Sequence, residues 1–414
     1  GWMKFLHLAD LHLGKSIHGV SLLENGDQPV WVQRFLEMAQ DICPDAVVIA
    51  GDVYDRSAPS GDAVALLDRM VTGLAELGIP VLIVPGNHDS GQRMSFAGSL
   101  LAKQNIHIAG ILTKKLTCVT LTDQDGPVTF WLMPYIFPAL AAQKLEDEEI
   151  RDYNTAVRRL LAEQDIDFSV RNVLVAHQNV TANGRESIHG GSESMVGGVG
   201  QVDYTAFDGF DYVALGHIHA AYPVGRETVC YAGSPLCYHF DETRQSVKGP
   251  ILVELGAKGT EPAIETKVIR PLHPMRELKG TYAELQVAEL QNEARGEYIR
   301  VILTDRRPEP EIYEFFRSLF ESRDSLLMEL ISEYRQFGTM ASRPIAGVEE
   351  KAVEELFMDF YRERRGGVEP DESEQSLLCF AGEQVRHMDG NQNRETERQI
   401  TELLKFAREQ GNEV

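Results

Sequence analysis

The chain lacks any apolar run approaching the roughly 20 residues that a membrane-spanning helix needs, so no membrane association is expected. Its first residues, GWMKFLHLADLHLG, have neither the long apolar core nor the small-residue cleavage pattern of a secretory leader. Cysteine is scarce. The five residues Cys43, Cys118, Cys230, Cys237 and Cys379 are odd in number and scattered, which argues against a disulfide framework or a zinc knuckle and fits a reducing cytoplasm. Positive charge is short as well: 40 Lys and Arg stand against 63 Asp and Glu, a formal net charge of −23. Such a chain repels nucleic acid at long range, so any work on DNA needs bound metal, local basic residues or a basic partner. No nucleotide-binding loop is present either, because the glycines from Gly190 to Gly200 are not followed by Gly-Lys-Ser or Gly-Lys-Thr.

What is present is a core-forming composition, 43% hydrophobic against 25% charged, in a 414-residue chain long enough for two or three domains. DAVVIA (45–50) and PVLIVP (80–85) read as short buried strands. Between them Ser60 is placed to cap a helix with Val64, Leu67, Val71 and Leu74 on one face, ended by Gly78-Ile79-Pro80. A strand, crossover helix and strand imply parallel neighbours in one sheet. Further strand-like runs fall at 4–9, 128–134, 171–176, 212–216 and 228–233. From about residue 273 a small α+β domain is expected, with EYIRVILTD (297–305) and SLLMELI as strands around a helix carrying Ile312, Phe315, Phe316 and Leu319. Beyond 346 two amphipathic helical stripes follow.

The ends of the strands carry the chemistry. KFLHLA runs into Asp10-Leu11-His12, VVIA into Gly51-Asp52-Val53-Tyr54-Asp55, VLIVP into Gly86-Asn87-His88-Asp89, VLVA into His177, and YVAL into Gly216-His217-Ile218-His219. Singly, each is an ordinary polar turn or a satisfied core histidine. Together they are not, because in an open α/β sheet the carboxyl ends of the strands share one edge, where such folds build their sites. Asp, Asn and His gathered there offer oxygen and nitrogen ligands to hard or borderline divalent ions. His18, His107 and His189 have no such company and read as structural or solvated.

The ordered motifs resemble those of the calcineurin-like metallophosphoesterase superfamily. Their flanks, LADLHLGK, GDVYDRSAPS, VPGNHDS, SESMVGGVGQVDYTAFDGFDYVALGHIHAA and YAGSPLCYHFDE, resemble the SbcD family of nuclease subunits within it. The resemblance implies a four-layer α/β/β/α sandwich of two mixed sheets over residues 3–272, a small α+β capping domain that selects DNA over 273–345, and helices that dock an ATPase partner over 346–414. It implies two divalent metal ions, Mn2+ foremost, although nitrogen and oxygen ligands alone leave Mg2+, Fe2+ or Zn2+ open. Asp10, His12 and His219 would hold one ion and Asn87, His177 and His217 the other, with Asp52 bridging them through its two oxygens. His88 would donate to the leaving oxygen, with Asp55 as its partner, and Arg56 would touch a phosphate oxygen.

The implied activity is metal-dependent hydrolysis of DNA, 3′ to 5′ on duplex ends and endonucleolytic on single strands and hairpins. It would proceed with an SbcC-type coiled-coil ATPase, in a heterotetramer containing a homodimer of this chain. Two other readings compete: a phosphatase or phosphodiesterase of the same fold acting on another substrate, since fold and metals set reaction type but not substrate, and a non-catalytic scaffold. The first leaves the carboxyl-terminal third without a purpose. The second sits poorly with a complete ligand set.

Overall fold

A computed structural model describes residues 1–184, 200–244 and 248–334. Residues 190–199 of the glycine-rich stretch, His189 and the helices expected beyond 346 lie outside the described residues. By its internal contacts the chain divides into two compact units, Gly1–Glu333 and Tyr334–Val414.

Two six-stranded sheets form the body of the first unit. One runs in the order Ala263–Thr266, Ile251–Leu255, Met3–Leu8, Ala46–Ala50, Val81–Val84, Ile106–Ile108. The other runs Tyr222–Val224, Arg226–Tyr231, Tyr212–Gly216, Arg171–His177, Gly126–Met133, Thr117–Asp123. Both are mixed: the central pairs are parallel and the hairpin edges antiparallel. Alternation along each strand divides the side chains between two layers. Phe5 points between the sheets, its ring 5.3 Å from that of Phe130 and 5.6 Å from that of Tyr212. Leu6 points outward into the layer of helices Asp27–Ile42 and Gly61–Glu76. Helices Pro138–Leu145 and Tyr153–Ala162 cover the outer face of the second sheet. The architecture is the expected four-layer sandwich.

His7 ties the sheets together. Its Nε2–H donates to the Leu215 carbonyl at 3.0 Å and its Nδ1 accepts from the Tyr212 hydroxyl at 2.9 Å. Burial pushes its pKa down to about 3, the Leu215 carbonyl notwithstanding, so it remains a neutral structural link.

One helical face differs from the expected one. Ser60 does cap Gly61–Glu76, accepting the Ala63 N–H at 3.2 Å. The buried residues, however, are Ala63, Leu66, Met70 and Leu74, while Val64 is exposed. Leu67 and Val71 of the expected face are partly buried and pack on the same core as Leu74, so the buried stripe is shifted toward Ala63, Leu66 and Met70 and leaves out only Val64.

A small module follows the sandwich. Strands Met275–Gly280, Tyr298–Leu303 and Leu326–Ser332 pair in parallel, with helices Tyr282–Leu290 and Pro310–Glu321 as the connections. The expected α+β domain is thus, in detail, a parallel β-α-β-α-β unit around Ile299, Val301, Phe316 and Phe320. Thr281 and Glu284 form a reciprocal cap at its first helix.

Candidate metal centre

All the strand-end residues come together at the carboxyl edge that the two sheets share. The chain reaches this geometry at a cost in backbone strain. Asp10, His12, Asp52 and His217 all have φ between +44° and +114°, a region side chains other than glycine seldom occupy and one that clusters at functional sites. The loops are zipped together by Asp10 N–H to the Gly51 carbonyl at 3.0 Å and His12 N–H to the Asp52 carbonyl at 2.9 Å. Two glycines let the ligands approach: a Cβ on Gly51 would lie 2.3 Å from His177 Nδ1, and one on Gly86 would lie 2.1 Å from Asp52 Oδ1.

Two poles emerge. Asp10, His12 and His219 each bring a ligand atom within 4.8 Å of the others, and so do Asp10, Asp52 and His177. Asn87 Oδ1 lies 3.0 Å from His177 Nε2, and the His217 ring is 5.3 Å from the His177 ring. Asp10, Asp52, His12, His177, His217 and His219 are buried, Asn87 is exposed and His88 half-buried.

The tautomers decide what this cluster can hold. His219 Nδ1 faces Glu242 Oε1 at 3.1 Å, and His12 Nδ1 lies 3.3 Å from Asp55 Oδ1, a contact whose alignment falls short of a full hydrogen bond. Burial would raise both carboxyls. Instead Lys248 and His219 bring Glu242 down to about 2, and the His12 contact and Lys15 bring Asp55 to about 2. Both are therefore anions that only accept, and each favours the tautomer of its histidine that carries the proton on Nδ1. The two Nε2 atoms then point lone pairs at each other across 3.2 Å. His177 repeats the pattern. Its Nδ1–H donates to the Ala50 carbonyl at 2.8 Å, leaving Nε2 opposite Asn87 Oδ1 and, at 3.3 Å, Asp52 Oδ2. Facing electron pairs on buried side chains call for cations, and the donor set fits divalent ions.

Protons occupy that role when metal does not. Burial alone would lower the His177 pKa, but the Asp52 carboxylate beside it, with Asp10, raises it to about 10. Burial raises Asp10 to about 7 against the pull of His177, whereas His177, His12 and His88 hold Asp52 well below the carboxylate range despite its burial. Metal uptake at neutral pH is accordingly expected to expel protons, and affinity to fall as pH drops through 7 because Asp10 then protonates while His177 keeps its proton. Calorimetry in buffers of unequal ionisation enthalpy reads this directly; heats independent of the buffer would contradict it.

Asp52 Oδ2 lies 3.6 Å from His12 Nε2 and 3.3 Å from His177 Nε2, while Oδ1 accepts the His88 backbone N–H at 3.0 Å and keeps further acceptor capacity. Asp55, expected beside His88, lies against His12 and, at 3.4 Å, Lys15 Nζ, and is near enough to His88 for that ring to help lower its pKa. The His88 ring stands 5.1 Å from that of His12 and makes no side-chain hydrogen bond among the described residues. Arg56 is exposed next to Asp55.

Two residues without an expected role also serve the site. Glu242 orients His219 and is itself held by the Tyr238 N–H at 3.0 Å and Lys248 at 3.3 Å. Asp89 accepts the N–H groups of Val53, Tyr54 and Gly86 at 3.0, 2.9 and 2.8 Å, stapling the Asp52 loop to the Asn87 loop. Both lay within motifs the sequence offers, PLCYHFDE and GNHD. His18, which has no ligand-type company in the sequence, packs its ring 5.6 Å from Phe240.

Comparison with known proteins gives the same picture. Residues 3–221 match the family described as calcineurin-like phosphoesterase, and residues 271–365 match the type 5 capsule protein repressor C-terminal domain. The SbcD component of the SbcCD nuclease from Staphylococcus saprophyticus subsp. saprophyticus is 34% identical over 305 residues, 72% of this chain and 77% of the relative. Its namesake from Staphylococcus epidermidis is 31% identical over 309 residues, 73% of this chain and 79% of the relative.

Proposed function

The chain belongs to the SbcD nuclease family of the calcineurin-like phosphoesterases, and from that membership we propose that its strand-end cluster hydrolyses DNA phosphodiesters with two manganese ions, in partnership with an SbcC-type ATPase. The observation that carries the reading is the convergence of the His12 and His219 Nε2 atoms at 3.2 Å, with each ring's Nδ1 turned toward a carboxylate oxygen. When bound, divalent ions supply Lewis-acid activation of water and neutralise charge at the phosphate.

The chain's own residues do the rest. Asp10, His12 and His219 form one pole and Asn87, His177 and His217 the other, with Asp52 Oδ2 between them. Glu242, Asp55 and the Ala50 carbonyl hold the histidine ligands in the metal-binding tautomer. His88, half-buried and without a side-chain hydrogen bond among the described residues, donates to the leaving oxygen. Arg56 is exposed at the rim, where a phosphate oxygen can reach it.

The net charge of −23 assigns much of the DNA backbone contact to the partner. Residues 273–345 act as the capping domain and 346–414 as the docking region. A homodimer within a heterotetramer accords with the exposure of Phe96 and Leu100, 84% and 65%, four residues apart. No helix among the described residues is long and apolar enough to cross a membrane, and a cytoplasmic location agrees with the scattered cysteines.

The test is cleavage of end-labelled duplex and hairpin DNA in manganese, with and without the ATPase and ATP, against p-nitrophenyl phosphate esters. Cleavage of both DNA substrates, stimulated by the partner, is expected. A chain that turned over the small esters but left DNA intact would sink the assignment.

A further inference from the structure

Glu242 favours the tautomer of His219 that carries the proton on Nδ1, and what fixes Glu242 extends beyond the sandwich. The carboxylate is carried by the short turn Phe240–Arg244. On the near side, the preceding residues are anchored to the sandwich, since the Tyr238 hydroxyl donates to the Leu11 carbonyl. On the far side the turn meets the small module. Phe240 is 1% exposed, with the His18 ring 5.6 Å from it and the Arg300 guanidinium carbon 5.1 Å from its ring centroid. Arg300 also donates to Asp241 Oδ1 at 3.2 Å.

Arg300 itself is held firmly. It lies in the module strand Tyr298–Leu303 and is anchored by Glu277 on one neighbouring strand, through Nε at 2.9 Å, and by Glu329 on the other, at 3.6 Å. A guanidinium used in this way is a planar spacer of fixed orientation, stacked on one residue of the turn and paired with the next. Glu242 is the residue after that.

We propose that Arg300, although it touches no metal ligand, is a positioning residue for the pole formed by Asp10, His12 and His219: it pins the Phe240–Arg244 turn and thereby the Glu242 carboxylate that orients His219. The seating of the module then sets the metal affinity of one pole of the centre. The link is reciprocal, so metal at that pole also favours the seated module. This rests on the reading of the cluster as a two-metal site.

Loss of a residue that directly orients a metal-bound histidine costs roughly 10- to 100-fold in affinity. Arg300 acts one step further out, so Arg300→Ala is expected to weaken one of two manganese sites by roughly threefold to tenfold. Calorimetric titration of the full chain with manganese reads the affinities, and the Mn2+ electron paramagnetic resonance spectrum reports whether the altered site changes symmetry. Arg300→Lys keeps the charge but not the flat stack or the fork, and should recover only part. Arg317→Ala, on the same module but paired with Glu314 and Glu321, should leave both sites unchanged. In a Glu242→Gln background, Arg300→Ala should add nothing, because both substitutions act along one line. Amides of Tyr298–Leu303 should exchange more slowly in manganese than without it.

If Arg300→Ala disrupts folding, the exposed Asp241→Asn carries the same test through the other end of the pair. Wild-type affinities at both sites in a folded Arg300 or Asp241 variant would overturn the proposal and leave the two-metal reading standing. So would an equal further loss in the Glu242→Gln background. A parental protein that takes up no manganese would overturn both.

Discussion

Replacing His88 by glutamine is expected to leave two-metal loading intact while lowering DNA cleavage by about 10²- to 10⁴-fold, the usual worth of a positioned proton donor. The backbone N–H of residue 88, which donates to Asp52 Oδ1 at 3.0 Å, survives the substitution, and the side chain contributes no ligand. Glutamine can still offer a hydrogen bond but cannot release a proton. The deficit should therefore depend on the leaving group. On a DNA ester, whose alkoxide must be protonated as it departs, the loss is large. On bis(p-nitrophenyl) phosphate, whose leaving phenolate needs no proton, it should shrink to roughly tenfold or less. Single-turnover rates on both substrates, with metal content measured on the same samples, make the comparison. Parental rates on DNA would remove His88 from the chemistry. An equal loss on both substrates would make it a positioning group instead of an acid.

Asp52→Asn should be more damaging and in a different way. Asp52 Oδ2 is the atom facing both poles, 3.6 Å from His12 Nε2 and 3.3 Å from His177 Nε2. An amide supplies at most a neutral oxygen there, and in the other rotamer its NH₂ points at the cations. It also removes the carboxylate that, against the effect of burial, holds the His177 pKa at about 10. The variant should bind at most one manganese ion, lose roughly 100-fold or more in affinity at the remaining site, and show no measurable cleavage. Thermal unfolding checks this without reference to activity. One site filled at 100 times its Kd stabilises the fold by about 2.7 kcal/mol, so the manganese-induced rise in Tm of the parent should largely disappear. A variant that retained both ions would refute the placement of Asp52 between the poles.

The candidate ligand set was legible because of a property of the fold class. Parallel strands deliver their carboxyl ends to one edge, so ligand-type residues directly after strands 3–8, 46–50, 81–84, 171–177 and 212–216 could be collected without knowing any distance. The strands were legible because burial on both faces makes them near-continuous apolar runs. Amphipathic helices carry less information. In Gly61–Glu76 periodicity favours Val64 where the fold buries Ala63 and Leu66. The strands Ile106–Ile108, Ile251–Leu255 and Ala263–Thr266, which complete the first sheet, have no ligand-type residue directly after them and leave no comparable mark in the sequence.

The supporting carboxylates mark the limit. Strand periodicity and motif order by themselves determined an α/β sheet and which Asp, Asn and His side chains stand at strand ends, because both follow from local pattern plus one rule about sheet edges; the four-layer architecture and the grouping of those residues into two metal poles came only with the family resemblance. Which carboxylate serves which histidine was decided only in three dimensions. Asp55 came to lie against His12 as well as near His88, Glu242 reached His219 across 23 residues of chain, and Arg300 met Phe240 across a module boundary. A ligand at a strand end is placed by the backbone, whereas its orienting partner is placed by how loops pack. Loop packing is a sum of many small contacts distant in sequence, and no spacing rule encodes it.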